Sequence, residues 1–227
     1  MEPTLLIAML LAVLVGVSLG LLGGGGSILT VPILTYVVGM DAREAIASSL
    51  FIVGMTSAVS MLTHARAGRV QWKTGIIFGG AGMVGAFAGG IAGGYISSVV
   101  LMLLFAVMMI ATSVAMIRGR KPAKAEVAGA TGAAPGQVPH LPLFRVVLDG
   151  LLVGLATGLV GAGGGFLVVP ALNLLGGLPM VIAVATSLLV IVMKSFAGLA
   201  GYLFSVQLDW PIVLGFTGVA IVGSLLG

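Results

Sequence analysis

One basic residue lies deep inside an apolar segment of this chain. Lys194 is the only charged residue in the run from Val181 to Phe204. At a rise of about 1.5 Å per residue, a helix there would place it roughly 15 Å from either end. A charge so deep in a membrane costs about 3 kcal/mol or more unless a polar cavity or partner receives it. We therefore predict that a bound anion pairs with Lys194. The alternative is a lysine at a helix seam, bonded to carbonyls or deprotonated.

Two glycine-rich segments interrupt apolar runs. Residues 23–26 precede the short apolar run 28–38, and residues 161–165 precede the run 166–178. A helix broken within a membrane exposes free N–H groups, which are tolerated only when buried or facing a water-filled cavity. Such donors at a helix N-terminus attract anions, and glycine lets a ligand approach the backbone. The alternative is that these glycines only permit close helix packing.

Hydroxyl side chains extend the predicted site. They lie next to the first break and near the start of two apolar helices, where they would donate to an oxyanion or bond their own helix backbone. Both interpretations stay open from sequence. The predicted substrate-binding residues are Gly24, Gly25, Gly26, Ser27, Ser48, Ser49, Gly163, Gly164, Gly165, Thr186, Ser187 and Lys194. We predict no catalytic residue, no metal ligand and no cofactor.

The composition indicates that lipid is the solvent for the elements that position these residues. The chain is 59% hydrophobic and only 7% charged, whereas a soluble domain carries about 25% charged residues. Its basic residues cluster between apolar runs, which is typical of membrane topology signals and not of a nucleic-acid-binding surface. We predict an all-α, multi-pass helix bundle in the cell inner membrane, with spans near residues 5–22, 45–63, 74–117 (two spans, turning near 93–98), 144–160, 181–204 and 211–227.

The second half of the chain repeats the first. Residues 16–89 align with residues 154–227 without a gap, and about 23 of the 74 aligned pairs are identical. Broken helices at matching positions of two repeats are the sequence signature of secondary transporters. We predict a first repeat at 1–117, a cytoplasmic connector at 118–143 and a second repeat at 144–227. The second repeat has no counterpart of the run after Gly89, so we expect a final helix of about 20–30 residues to be missing.

Equivalent loops of the two repeats differ in charge. Arg66, Arg69 and Lys73 surround the loop after one span, whereas the equivalent segment 205–209 has one acidic residue and no basic one. Because basic loops face the cytoplasm, this contrast predicts that the two repeats are inverted in the membrane. Parallel repeats with four full crossings each remain the alternative.

The paired segments G-L-x-G-x-G-G-x-x-L-x-V-P at residues 20–32 and 158–170 resemble those of the sulfite exporter TauE/SafE family. The helices that begin with residues 45–50 and 183–188 are similar to that family as well. The resemblance covers nearly the whole chain. It implies a bacterial inner-membrane permease of about eight segments that transports small sulfur-containing anions such as sulfite or organosulfonates.

We therefore predict a secondary transporter of a small anion, with possible proton or ion coupling and possible homodimer formation. The chain has no G-x-x-x-x-G-K-[ST] phosphate loop, which argues against direct use of ATP. The alternatives are an anion channel with the same site and a permease for another small organic anion. An enzyme would need paired carboxylates or a nucleophile with its base inside the spans, and the sequence offers neither.

Overall fold

The computed structural model describes residues 3–22, 27–118, 143–161, 168–169 and 179–226. These residues form helices joined by turns, with no strand in this part of the chain, so the prediction of an all-α fold is confirmed. The helices are α1 (Pro3–Leu22), α2 (Ser27–Pro32), a π-helix (Ile33–Val37), α3 (Ala42–Arg66), α4 (Trp72–Tyr95), α5 (Ser98–Arg118), α6 (Leu143–Val160), α7 (Met180–Tyr202) and α8 (Trp210–Leu226).

Three of these helices, α3, α4 and α7, are long and apolar enough to cross a membrane. Large apolar side chains are exposed on α4 and α5, among them Val84 at 64% and Val107 at 62%. Exposed apolar side chains on long helices are what a lipid-facing surface requires. Residues 119–142, most of the predicted connector, lie outside the described residues, so the boundaries of the two repeats stay predictions.

Local sequence signals set the ends of several helices. The Asp41 side chain accepts a hydrogen bond of 3.0 Å from the Arg43 backbone N–H and caps α3. Trp72 and Trp210 begin α4 and α8 at equivalent positions. The turn between α4 and α5 lies where the glycines and serines predicted it, and the Arg43 side chain donates to the Ile96 carbonyl there at 2.8 Å.

Glycines on α4 allow unusually close packing against α6 and α7. A Cβ at Gly85 would collide with the Leu151 carbonyl of α6, and one at Gly90 would collide with the Gly198 carbonyl of α7. Small residues at a seam let two backbones approach, which is how membrane helices associate. Along the contact of α4 with α7, residue numbers rise together in both helices, from Gly75 beside Leu189 to Gly93 beside Tyr202. Helices α4 and α7 are therefore parallel.

Helices α3 and α7, which the internal alignment pairs with each other, cross in opposite directions. A Cβ at Gly198 would lie 3.3 Å from the Leu50 Cδ1 atom, and one at Gly54 would lie 3.3 Å from the Ser195 Cβ atom. Residue numbers therefore rise along α3 as they fall along α7.

The close contacts of the two halves also correspond. Two close contacts between α6 and α4 have counterparts between α1 and α8 at the aligned positions. Gly154 lies against the Gly82 carbonyl, and the aligned Gly16 lies against the Ala220 carbonyl. Gly85 lies against the Leu151 carbonyl, and the aligned Gly223 lies against the Val13 carbonyl. The tandem duplication and its inversion stay predictions, and this packing is compatible with both.

Candidate functional site

The Lys194 side chain lies inside the bundle. It is 1% exposed, and its Nζ atom has no hydrogen-bond partner among the described residues. Its methylene chain lies against Gly82 of α4, where a Cβ would collide with the Lys194 Cδ atom. Gly82 therefore provides the space in which the lysine side chain crosses from α7 to α4.

The ammonium group faces an aromatic ring. The Lys194 Nζ atom is 5.9 Å from the ring centroid of Phe78, close enough for a cation–π interaction. Phe78 belongs to one buried apolar cluster with Val168, Ala183 and Val190. Val168 lies just beyond the second glycine-rich segment, so the lysine, the aromatic ring and the segment after that break share one region. A cation with apolar walls and no acidic partner suits an anion that carries apolar atoms.

The end of α6 is held by a serine from the other half of the chain. Gly161 follows α6 with φ of +73°, a left-handed conformation that favours glycine. A Cβ there would also be 2.9 Å from the Cα atom of Ile46. The Ser49 hydroxyl lies 2.6 Å from the Gly161 carbonyl and 2.7 Å from the Ile46 carbonyl, and these two carbonyls share its single hydrogen. Ser49 thus fixes the start of the second break.

A tyrosine that sequence reasoning missed holds the preceding turn of α6. The fully buried Tyr202 donates its phenolic hydrogen to the Leu159 carbonyl at 2.8 Å. Gly93 of α4 makes room for the phenol. The aligned position in the first half is His64, whose imidazole bonds the backbone of Gly20 near the end of α1. The available signal was a polar aromatic residue at the end of each long apolar run.

The other predicted hydroxyls have different surroundings. The Thr186 hydroxyl accepts a 3.1 Å hydrogen bond from the Gln71 backbone N–H and so stabilises the start of α4. Ser187 donates to the carbonyl of Val184, in its own helix, at 2.7 Å. Ser48 is fully buried, and its hydroxyl has no partner among the described residues. Ser27 is buried at the start of α2 and makes an interaction there.

The predicted glycine ligands Gly24, Gly25, Gly26, Gly163, Gly164 and Gly165 lie outside the described residues. In the described chain, Ser49 of α3 contacts Gly161 after α6, and Phe78 of α4 lies beside Lys194 of α7. Phe78 also lies beside Gly150, eleven residues before Gly161, so the two contacts are at different levels of the bundle. Within the described part of the chain, no group of three or more His, Cys, Asp or Glu residues is placed to hold a metal ion.

Long apolar helices around a buried, unpaired lysine define an integral membrane protein with an internal polar site. Residues 8–227 match the family model described as Sulfite exporter TauE/SafE. The chain belongs to this family, and it is a membrane transporter.

Related proteins agree on that class. A probable membrane transporter protein of Xylella fastidiosa (strain 9a5c) is 36% identical over 219 residues, which cover 94% of this chain and 80% of the relative. A probable membrane transporter protein of Methanocaldococcus jannaschii is 29% identical, with 97% of this chain and 82% of the relative covered. The probable membrane transporter protein YunE of Bacillus subtilis is 27% identical, with 97% and 86% covered. No solved structure matches this chain.

Proposed function

We propose that this transporter is a secondary carrier of a small sulfur-containing anion, such as sulfite or an organosulfonate, and that it crosses the cell inner membrane several times. The observation that carries the proposal is Lys194, which is 1% exposed and has no hydrogen-bond partner among the described residues. The name of the family, which refers to sulfite export, supports the choice of substrate.

Lys194 supplies the charge that selects an anion. Its ammonium group is desolvated, so a bound anion both neutralises it and restores the hydrogen bonds that it lacks. The sequence predicts a half-helix after the second break, whose start lies outside the described residues, and its N-terminal end would add backbone donors and a positive dipole end. Phe78 and Val190 form an apolar wall beside the cation, against which the carbon atoms of an organosulfonate pack.

The helix packing supports a carrier with two moving modules. Helices α4, α6 and α7 pack together, and helices α1, α3 and α8 pack together. The main contact between these modules is the crossing of α3 and α7. We expect alternating access to proceed by a rocking motion at this crossing, in which each module combines helices from both halves of the chain.

The test is transport by purified protein in liposomes with radiolabelled sulfite, sulfoacetate, taurine and sulfate. We expect saturable uptake of at least one of these anions, and counterflow when the vesicles are preloaded with it. Single-channel currents in place of counterflow would instead indicate a channel.

The substitution Lys194→Met keeps the apolar stem and removes the charge. We expect it to weaken binding and uptake of the transported anion at least tenfold, because Lys194 is the only cation that the described residues contribute to the proposed site. The control is Lys73→Met, since Lys73 is exposed near the start of α4. Normal transport by the Lys194→Met variant would show that the proposed role of Lys194 is wrong.

A further inference from the structure

Four buried donor groups lie on α3 and α7. Three are serine hydroxyls near the crossing of these two helices, and the fourth is the ammonium group of Lys194, whose side chain extends from α7 to α4. They are the hydroxyls of Ser57 and Ser60 on α3, and the Lys194 ammonium and Ser195 hydroxyl on α7. All four residues are 2% exposed or less. None of the four groups has a hydrogen-bond partner within the described part of the chain.

Ser57 and Ser195 face the same crossing. The Ser195 Cβ atom lies 3.3 Å from where a Cβ at Gly54 would be, so Ser195 points at α3. Ser57 lies three residues beyond Gly54, about 4.5 Å along the helix and on the same side of it. The internal alignment pairs Ser57 with Ser195. The two halves of the chain thus each contribute one unpaired hydroxyl to the contact between their equivalent helices.

Two other buried hydroxyls of these helices donate to their own backbone. Thr56 donates to the Ile52 carbonyl at 2.6 Å, and Ser187 donates to the Val184 carbonyl at 2.7 Å. The hydroxyls at the crossing do not do so, and their hydrogens remain free to donate to another group. A buried donor without a partner is costly and rare, which indicates that a group outside the protein satisfies it.

We propose that the crossing of α3 and α7 is a hydrated passage in which Ser57, Ser60 and Ser195 donate hydrogen bonds to the anion as it moves past Lys194. This inference rests on the proposed function as an anion carrier. All four unpaired groups can donate a hydrogen bond, and the Lys194 ammonium can only donate, which suits an oxyanion.

The absence of cysteine from the sequence makes the passage testable. We would prepare the single-cysteine variants Ser57→Cys and Ser195→Cys in liposomes and treat them with anionic methanethiosulfonate ethylsulfonate. We expect both thiols to react with the anionic reagent. This reaction should be at least tenfold faster than the reaction of the same thiols with the cationic ethyltrimethylammonium reagent of the same class. The matched control is Val53→Cys, on α3 near Ser57, because Val53 is fully buried in an apolar cluster. It should not react.

Two further measurements separate this inference from the proposed function. In a Lys194→Met background, the preference for the anionic reagent should fall about tenfold, because Lys194 is the cation that attracts it. The variant Ser57→Ala with Ser195→Ala should weaken the apparent affinity for the transported anion at least fivefold. If the thiols do not react in a protein that still transports an anion, the proposal of a hydrated passage is wrong. Reactive thiols in a protein that transports no tested anion would support the passage and contradict the proposed function.

Discussion

Individual side chains hold the second helix break in place from two directions. Ser49 contacts the Gly161 carbonyl, and Tyr202 donates to the Leu159 carbonyl. The last carbonyls of a helix have no partner within that helix, so a buried helix end needs side chains or water to satisfy them. Here α3 satisfies one carbonyl and α7 satisfies the other. Movement at the crossing of α3 and α7 would therefore act directly on the break.

The substitution Tyr202→Phe tests this role. It removes the phenolic hydroxyl and leaves the buried Leu159 carbonyl unpaired, which should lower the free energy of unfolding by about 1–3 kcal/mol. The measurement is thermal unfolding of purified protein in detergent. Tyr95→Phe is the control, because Tyr95 is 78% exposed at the end of α4. Equal midpoints for the two variants would show that the bond to Leu159 contributes no stability.

At the scale of elements, α4 is the helix on which the second half of the chain packs. Its glycines on one side contact α6, and those on another side contact α7. Lys194 reaches the site because Gly82 leaves room for its methylene chain. The glycines of α4 thus serve both the packing of three helices and the position of the buried cation.

Two glycines of α4 form a matched pair for a test of this packing. A Cβ at Gly85 would lie 2.7 Å from the backbone N of Leu155 and even closer to the Leu151 carbonyl, whereas a Cβ at Gly80 would meet nothing within 4 Å. We expect Gly85→Ala to lower the free energy of unfolding by about 1–3 kcal/mol, because backbone atoms cannot move aside easily. Gly80→Ala should leave it unchanged or slightly raised. Thermal unfolding of both variants would decide, and an unaffected Gly85→Ala would contradict the close packing of α4 and α6.

At the scale of the whole molecule, packing groups helices differently from their order in the chain. Each module combines helices from both halves, and the antiparallel pair α3 and α7 joins the modules. Helices that are equivalent in sequence and opposite in direction are what two inverted repeats would produce. Proton or ion coupling and homodimer formation stay predictions for transport and mass measurements.

The predicted inversion can be tested at two aligned loop positions. Arg69 follows α3 and Gln207 follows α7, and both are exposed. We expect a membrane-impermeant maleimide to label Gln207→Cys in intact cells, and Arg69→Cys only in inside-out vesicles, because basic loops remain in the cytoplasm. Labelling of both positions from the same side would favour parallel repeats.

Much of the fold could be predicted from the sequence because the signals concerned are local. Hydropathy located the long helices, and the glycines and serines at 93–98 predicted the turn between α4 and α5. The depth of Lys194 in its apolar run indicated a buried charge, and the structure places it at 1% exposure. Each of these features depends on residues within one helix or at its ends.

Contacts between distant segments could not be predicted in this way. Four hydroxyl residues at aligned positions looked alike in sequence but have different partners. Ser48 has no partner among the described residues, and Ser49 contacts Gly161. Thr186 accepts from Gln71, and Ser187 donates to its own helix. Nor did the sequence place Tyr202 against the end of α6. The sequence by itself determined which segments are apolar enough to enter a membrane and which basic residue lies within one of them, because hydropathy depends on local composition. Only the tertiary structure decided which polar groups are satisfied and which remain free, because that depends on which helices meet.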